Sequence, residues 1–82
     1  MAPYWRTRFG AFVGGYGVER LSLEFQRRGD PVTNSAVYSW IYGRRAPRPQ
    51  AVDIILAVSH GRVTRDDIRR HQVAVGAQLA RT

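Results

Sequence analysis

Residues 33–45 carry the side chains in this chain that are best suited to binding chemistry. In the stretch TNSAVYSWIYGRR, apolar residues recur at positions 37, 40 and 41, which is the i, i+3, i+4 spacing of a buried helical stripe. The other positions carry hydroxyls and an amide, whereas a solvated helix face usually carries Lys and Glu. Two arginines follow at once. Uncharged hydrogen-bonding groups framed by cations suit the base edges of a DNA major groove and the phosphates beside it.

Asn34, Ser35 and Tyr38 are the strongest candidates for base contact from residue type and position. The first two lie at the N-terminal end of the predicted helix, where recognition helices usually read bases, and Asn can bond bidentately to adenine. Structural roles stay open beside these: Asn34 or Ser35 can help to cap the helix, and Tyr38 can pack on the preceding helix. Trp40 is expected in the core.

The basic residues around this helix are expected to hold the DNA backbone. The formal net charge is +7, and all 13 cations are arginines, which bind phosphate in bidentate fashion. The alternative for each is a solvated loop or a favourable interaction with the end of a helix dipole. The candidates for backbone contact are Arg44, Arg45 and Arg48 after the helix and Arg27 and Arg28 before it.

The elements that must position this helix are also predicted to be helical. Apolar spacing predicts a first helix over residues 4–15, and Gly17 is expected to separate it from a second helix that begins at Val18. Thr33 is expected to cap the third helix, Pro49 to lie in the first turn of the fourth, and a capping box at residues 64–67 to precede the fifth. The apolar stripe predicted for the first helix consists of Trp5, Phe9, Phe12, Val13 and Tyr16, and the face predicted for the fifth consists of Ile68, Gln72, Val75 and Leu79. Glu24 is expected to pair with Arg28. Residues 73–80 can continue the last helix or form a short strand. The prediction is a single all-α domain over residues 1–82, with four or five short helices.

Four blocks of the chain resemble the helix-turn-helix core of Cro-like and YdaS-type phage and prophage regulators. In chain order they are LS-x-x-F, VTNSAVYSW, GRRAPRP and GRVTRDDIR. The resemblance covers about residues 17–70 and implies a compact domain whose third helix enters the major groove. Ser22 and Val37 are fifteen positions apart, more than in the usual motif, so a longer second helix or a wider turn is expected. The groove-facing positions that the resemblance implies are Thr33, Asn34, Ser35, Tyr38, Ser39 and Tyr42; we expect all but Tyr42 to contact bases and Tyr42 to contact the backbone.

These patterns lead to a functional hypothesis. We expect a sequence-specific double-stranded DNA-binding regulator, acting as a repressor on a palindromic operator as a homodimer. Residues 71–82 are the candidate dimerisation tail, because Val75 and Leu79 are expected to have little core left to fill. Two alternatives stay open: an antitoxin-type protein that binds a protein partner and represses its own operon, and a DNA-packaging or architectural protein.

Other classes of function have little support in the sequence. There is no cysteine, and the two histidines have no metal-ligand spacing, so neither a metal nor another cofactor is expected. No catalytic constellation is visible among the six acidic residues, so an enzyme is the least favoured class. The apolar run of residues 54–58 is too short to span a bilayer. A cytoplasmic, nucleoid-associated protein without membrane contact is expected.

Overall fold

Five α-helices make up the structure, a computed structural model that describes the backbone of residues 5–80 and the side chains of residues 5–76. Within that part of the chain no residue is in a strand, so the all-α prediction is confirmed, and residues 73–80 continue the last helix. No described helix has the length and apolar character needed to cross a membrane. The helices are α1 (Arg8–Tyr16), α2 (Val18–Arg27), α3 (Asn34–Ile41), α4 (Pro49–Val58) and α5 (Arg65–Ala80).

Hydrogen bonds at the helix starts agree with the predicted caps. The Thr33 side-chain oxygen accepts a hydrogen bond from the Ala36 N–H at 3.1 Å, and Pro49 opens α4. Thr64 and Asp67 form the predicted capping box, in which each side chain accepts a bond from the other residue's N–H, at 3.1 and 3.0 Å. These bonds satisfy N–H groups that the helices leave without an internal partner.

The first helix begins later than residue 4. The Thr7 hydroxyl accepts a hydrogen bond from the Gly10 N–H at 2.9 Å, and this cap fixes the start of α1 at Arg8. Tyr4 lies outside the described residues. Gly17, with φ at +100°, ends α1 as predicted, because a backbone in that region favours glycine.

The apolar stripe of α3 lies in the centre of the core. Val37 and Ile41 are fully buried, and Trp40 is 5% exposed. The Trp40 ring meets the Phe25 ring edge-on, with 5.6 Å between the centroids, which fixes α3 against α2. Trp40 is therefore a core residue, as predicted. The other buried hydrophobic side chains in the described part of the chain are Phe9, Val13, Leu21, Phe25, Ala51, Ile55, Val58, Val63, Ile68 and Val75.

The aromatic stripe predicted for the first helix is only partly core. Phe9 and Val13 are fully buried, whereas Trp5, Phe12 and Tyr16 are partly exposed. Phe12 and Tyr16 stack on each other one helical turn apart, with 5.3 Å between their ring centroids. The aromatic stripe is thus wider than the face that α1 turns toward α2 and α5.

The buried face of α5 differs from the predicted one. Ile68, His71 and Val75 form it, at i, i+3 and i+7, while Gln72 is only partly buried. Val75 is fully buried against the start of the α3–α4 connection, so the expectation that it lacks a place in the core is wrong. The Leu79 side chain lies outside the described residues.

The extra length between Ser22 and Val37 is divided between helix and turn. α2 continues five residues beyond Ser22, to Arg27, and residues 28–33 then connect it to α3. The Ser22 hydroxyl donates a hydrogen bond to the Val32 carbonyl oxygen, which ties the end of this connection back to the middle of α2. The wider turn is therefore anchored to the helix that precedes it.

Candidate nucleic-acid interface

The residues of α3 and its C-terminal cap that are predicted to contact DNA lie in two adjacent rows on the outer surface of the helix. Asn34, Tyr38 and Tyr42 follow each other at i, i+4 and i+8, and Ser35 and Ser39 form the neighbouring row at i and i+4. Asn34, Ser35 and Tyr38 are exposed, as is the cap residue before them, and the Tyr38 side chain is 41% exposed. The start of the helix thus presents uncharged hydrogen-bonding groups to its surroundings.

Two of the predicted base contacts already hold bonds inside the helix. The Thr33 oxygen accepts the Ala36 N–H, and its own proton stays available for donation. The Ser39 hydroxyl donates to the Ala36 carbonyl oxygen at 2.6 Å, and this side chain is only partly exposed. Ser39 therefore offers its oxygen as an acceptor, whereas Thr33 offers a donor.

Tyr38 stacks on Tyr42 rather than being isolated on the surface. The two rings are 6.0 Å apart between centroids, with 12° between their planes. Tyr42 is the C-terminal cap residue of α3 and is partly buried. The Tyr38 ring is therefore supported by the Tyr42 ring at the C-terminal end of α3.

Arg44 and Arg45 lie next to the serine row. Together with Thr33, Ser35, Ala36 and Ser39 they line an open concavity of about 380 Å³. The backbone N–H groups of both arginines donate to the Ser39 carbonyl oxygen, at 2.9 and 3.3 Å, which fixes where the basic segment leaves the helix. Both side chains are exposed, and neither forms an ion pair with a carboxylate in the described part of the chain. They are free to meet an external anion.

The other arginines predicted to contact the DNA backbone form ion pairs with carboxylates of this chain. Arg27 and Arg28 both reach Glu24, at 3.8 and 3.4 Å, and the predicted Glu24–Arg28 pair is thereby confirmed. Arg48 pairs with Asp30 at 3.0 Å and links the segment after α3 to the segment before it. Surface pairs of this kind exchange readily, so they weaken but do not remove the attraction of these arginines for phosphate.

Side chains of α5 form hydrogen bonds with carbonyl oxygens at the C-terminal end of α3, a role that sequence reasoning missed. The carbonyl oxygens of the last turn of a helix have no partner within it. His71 Nε2 lies 2.9 Å from the Ile41 carbonyl oxygen, and Gln72 Nε2 donates to the Trp40 carbonyl oxygen at 2.9 Å. The signal in the sequence was two polar residues, His71 and Gln72, within the apolar spacing of α5.

His71 is fully buried, and its contacts fix the tautomer of the neutral ring. Because a carbonyl oxygen can only accept, Nε2 carries the proton toward Ile41. Nδ1 then accepts from the Thr7 hydroxyl, 2.6 Å away, which itself accepts from the Gly10 N–H. Burial lowers the pKa of His71 below its ordinary value, although the bonds to the backbone of Ile41 and Trp40 act in the opposite direction.

Comparison with protein-family models, with curated proteins and with solved structures finds no match to this chain. Within the described residues, no three histidine or acidic side chains lie close enough together to hold a metal ion. The α3 face thus consists of two rows of uncharged polar groups, a stacked tyrosine pair, and two arginines that form no ion pair within the described residues.

Proposed function

We propose that this protein is a double-stranded DNA-binding transcriptional regulator that reads bases with α3 and represses from an operator. The observation that carries the proposal is the outer face of α3. Its exposed residues are uncharged hydrogen-bonding groups, and it continues directly into two arginines that no described carboxylate neutralises. Uncharged polar groups supply base readout, while arginines supply phosphate binding.

Asn34 and Ser35 act at the bases, and Tyr38 acts beside them. The amide of Asn34 matches the donor and acceptor of an adenine edge, and the Ser35 hydroxyl bonds to any base that offers either group. The Tyr38 ring packs against a thymine methyl group or its hydroxyl meets a phosphate. The shallow concavity beside Ser35 and Ser39 lets the backbone phosphates approach Arg44 and Arg45.

A homodimer would supply the specificity that one helix lacks. α3 has eight residues and reaches only a few base pairs, so an operator of useful selectivity needs two half-sites about one helical turn apart. Val75 is buried in its own domain and is not available for this contact. Among the described side chains of α5, the large apolar one that is exposed is Val73, at 66%, and we propose its face of α5 as the dimer surface.

The test is selection of bound sequences from a random double-stranded DNA pool at near-physiological salt. We expect a palindromic motif whose half-site spacing reports the dimer geometry. Enrichment of DNA without a motif would replace this proposal with a packaging or architectural role, in which the arginines alone carry binding. Retention of no DNA would overturn it and leave the antitoxin-type protein-binding role.

A further inference from the structure

A second basic surface lies on α1 and shares no residue with the α3 face. It consists of two adjoining concavities that meet at Ala11, Phe12 and Arg62, with volumes of about 440 and 320 Å³. Arg8 and Val63 complete the first, and Gly15, Tyr16 and Arg20 complete the second. We call this the α1 surface.

The three arginines of the α1 surface have no carboxylate partner among the described residues. The acidic side chains that form ion pairs engage other arginines: Glu24 holds those at the end of α2, Asp30 holds Arg48, and Asp53 and Asp66 hold the arginines of α5. Arg8, Arg20 and Arg62 are exposed and outside all of these pairs. Within the described residues, the α3 face and the α1 surface therefore both carry arginines that no ion pair neutralises.

Arg20 is held in place without losing its hydrogen-bonding capacity. Its guanidinium carbon lies 4.4 Å from the centroid of the Tyr16 ring, and Tyr16 in turn stacks on Phe12. Stacking uses the flat face of a guanidinium, whereas its N–H donors point outward in the plane. The Tyr16 contact already restricts the Arg20 side chain in the free protein. Arg20 therefore loses less conformational entropy when it binds a ligand.

The floor between these arginines is apolar and unobstructed. Phe12 is partly exposed and Ala11 is exposed, although both lie in the middle of a helix beside the core. Gly15 is also exposed, and a Cβ added there would meet no atom within 4 Å. Glycine lowers helix propensity, and no described atom excludes a side chain at position 15. Its effect is to keep the second concavity open.

We propose that the α1 surface binds an acidic peptide segment of another protein, with carboxylates on Arg8, Arg20 and Arg62 and an apolar side chain on Phe12. Arginine binds carboxylate and phosphate alike in bidentate fashion. The apolar floor favours the peptide, because a phosphate backbone has no apolar side chain to place on Phe12. The acidic residues of this chain do not form such a segment, because apart from the adjacent Asp66 and Asp67 they are separated in sequence, and most of them already form ion pairs. The binding is independent of DNA recognition by α3.

The test is to select peptides from a phage-displayed random library on the whole protein. The affinity of the enriched peptides for the protein is then measured by fluorescence anisotropy. We expect enrichment of peptides that combine Asp or Glu with a bulky apolar residue. Arg62→Gln, which alters both concavities, should weaken their binding about tenfold, the usual scale for one charge-assisted bond. Arg70→Gln removes the same charge from an exposed arginine on α5 and should leave peptide binding unchanged.

Gly15→Leu separates a binding role from a structural one. It fills the second concavity while replacing glycine with a better helix former, so the melting temperature should rise or stay level while peptide affinity falls. The proposal is overturned if no peptide is enriched, if enriched peptides lack acidic residues, or if the Arg62→Gln variant binds them as tightly as the parent protein. Loss of duplex DNA affinity in Arg62→Gln, without loss of peptide binding, would assign the surface to nucleic acid instead.

Discussion

The imidazole of His71 joins the last turn of α3 to the first turn of α1. Its Nε2 lies 2.9 Å from the Ile41 carbonyl oxygen and its Nδ1 lies 2.6 Å from the Thr7 hydroxyl, so one buried ring connects three helices. The Phe9 ring packs edge-on against it at 5.2 Å between centroids. Burial disfavours the charged form of this ring, and this makes the fold sensitive to protonation of His71.

Acidification should therefore destabilise the protein through His71. The pKa of this residue is lowered in the folded state, so the unfolded chain, with an ordinary value near 6.5, binds the proton more readily. The stability that neutral His71 contributes is fully present above about pH 6.5. It is lost as the pH falls toward the pKa of His71 in the folded protein, by at most about 1.4 kcal/mol per pH unit. Urea unfolding between pH 7.5 and 5 measures this slope.

His71→Gln provides the matching variant for this pH dependence. It should be less stable at pH 7.5, since it loses the Thr7 bond, and its stability should be nearly flat over the same range. His60→Gln, which changes an exposed histidine, should keep the slope of the parent protein. An unaltered slope in His71→Gln would contradict the assignment.

The carboxylate of Asp66 does not contribute to this slope. Pairing with Arg69 and Arg70 lowers the pKa of Asp66 below its ordinary 3.8, so the pH dependence that Asp66 causes lies below the range of pH 5 to 7.5.

Gly43→Ala should destabilise the protein by about 2–4 kcal/mol. The φ of Gly43 is +75°, and a Cβ there would lie 2.8 Å from Cγ1 of the buried Val75. Gly29→Ala is the control, because its φ is +80° but no atom lies within 4 Å of the added carbon, so its cost should be about 1 kcal/mol. Chemical denaturation of both variants measures the difference.

Removing the obstructing methyl groups should partly rescue Gly43→Ala. In the double variant Gly43→Ala/Val75→Ala the 2.8 Å contact with Cγ1 disappears and the milder 3.3 Å contact with the Cβ of residue 75 remains. The two changes should therefore be less damaging together than their sum, by about 1 kcal/mol. Strictly additive effects would mean that backbone strain alone explains the glycine.

Trp40→Ala should cost about 3–5 kcal/mol of folding free energy. The Trp40 side chain is 5% exposed and packs edge-on against Phe25, so truncation removes an aromatic contact and leaves a cavity beneath α3. Circular dichroism during thermal unfolding measures the loss. A variant that melts near the temperature of the parent protein would show that the ring contributes little to the core.

Asn34→Ala should discriminate base reading from general DNA affinity. We expect a loss of about 1–3 kcal/mol on the selected site and little change on random DNA, because the amide bonds to base edges. Gln26→Ala removes an exposed amide outside the predicted contacts and should bind both DNAs as the parent protein does. Equal losses on both DNAs for Asn34→Ala would contradict base readout.

The arginines should differ in their contribution to the salt dependence of DNA binding. Arg44→Ala should lower the slope of log K against log salt by about one unit on any sequence. Arg48→Ala should lower it less, because Arg48 already pairs with Asp30 and displaces fewer counterions from DNA. Titrations at several salt concentrations measure both slopes; a larger effect for Arg48 would reverse this ranking.

Sequence patterns predicted the helices and the core of α3 because local signals agreed there. Thr33, Pro49 and the Thr64–Asp67 capping box each fixed a helix start through bonds between neighbours in sequence. The role of His71 was missed because its partners lie 30 and 64 positions away. The pairing of Arg48 with Asp30 was missed for the same reason, since no local periodicity relates residues 18 positions apart.

The capping of α3 by α5 has a consequence for synthesis on the ribosome. Translation produces residues 33–45 before residues 65–75, so a nascent chain that has released α3 still lacks the imidazole and amide that bond its terminal carbonyl groups. Domains generally fold as units once their sequence has emerged. We therefore expect the growing chain to acquire its binding competence late, at the moment when α5 leaves the exit tunnel and docks.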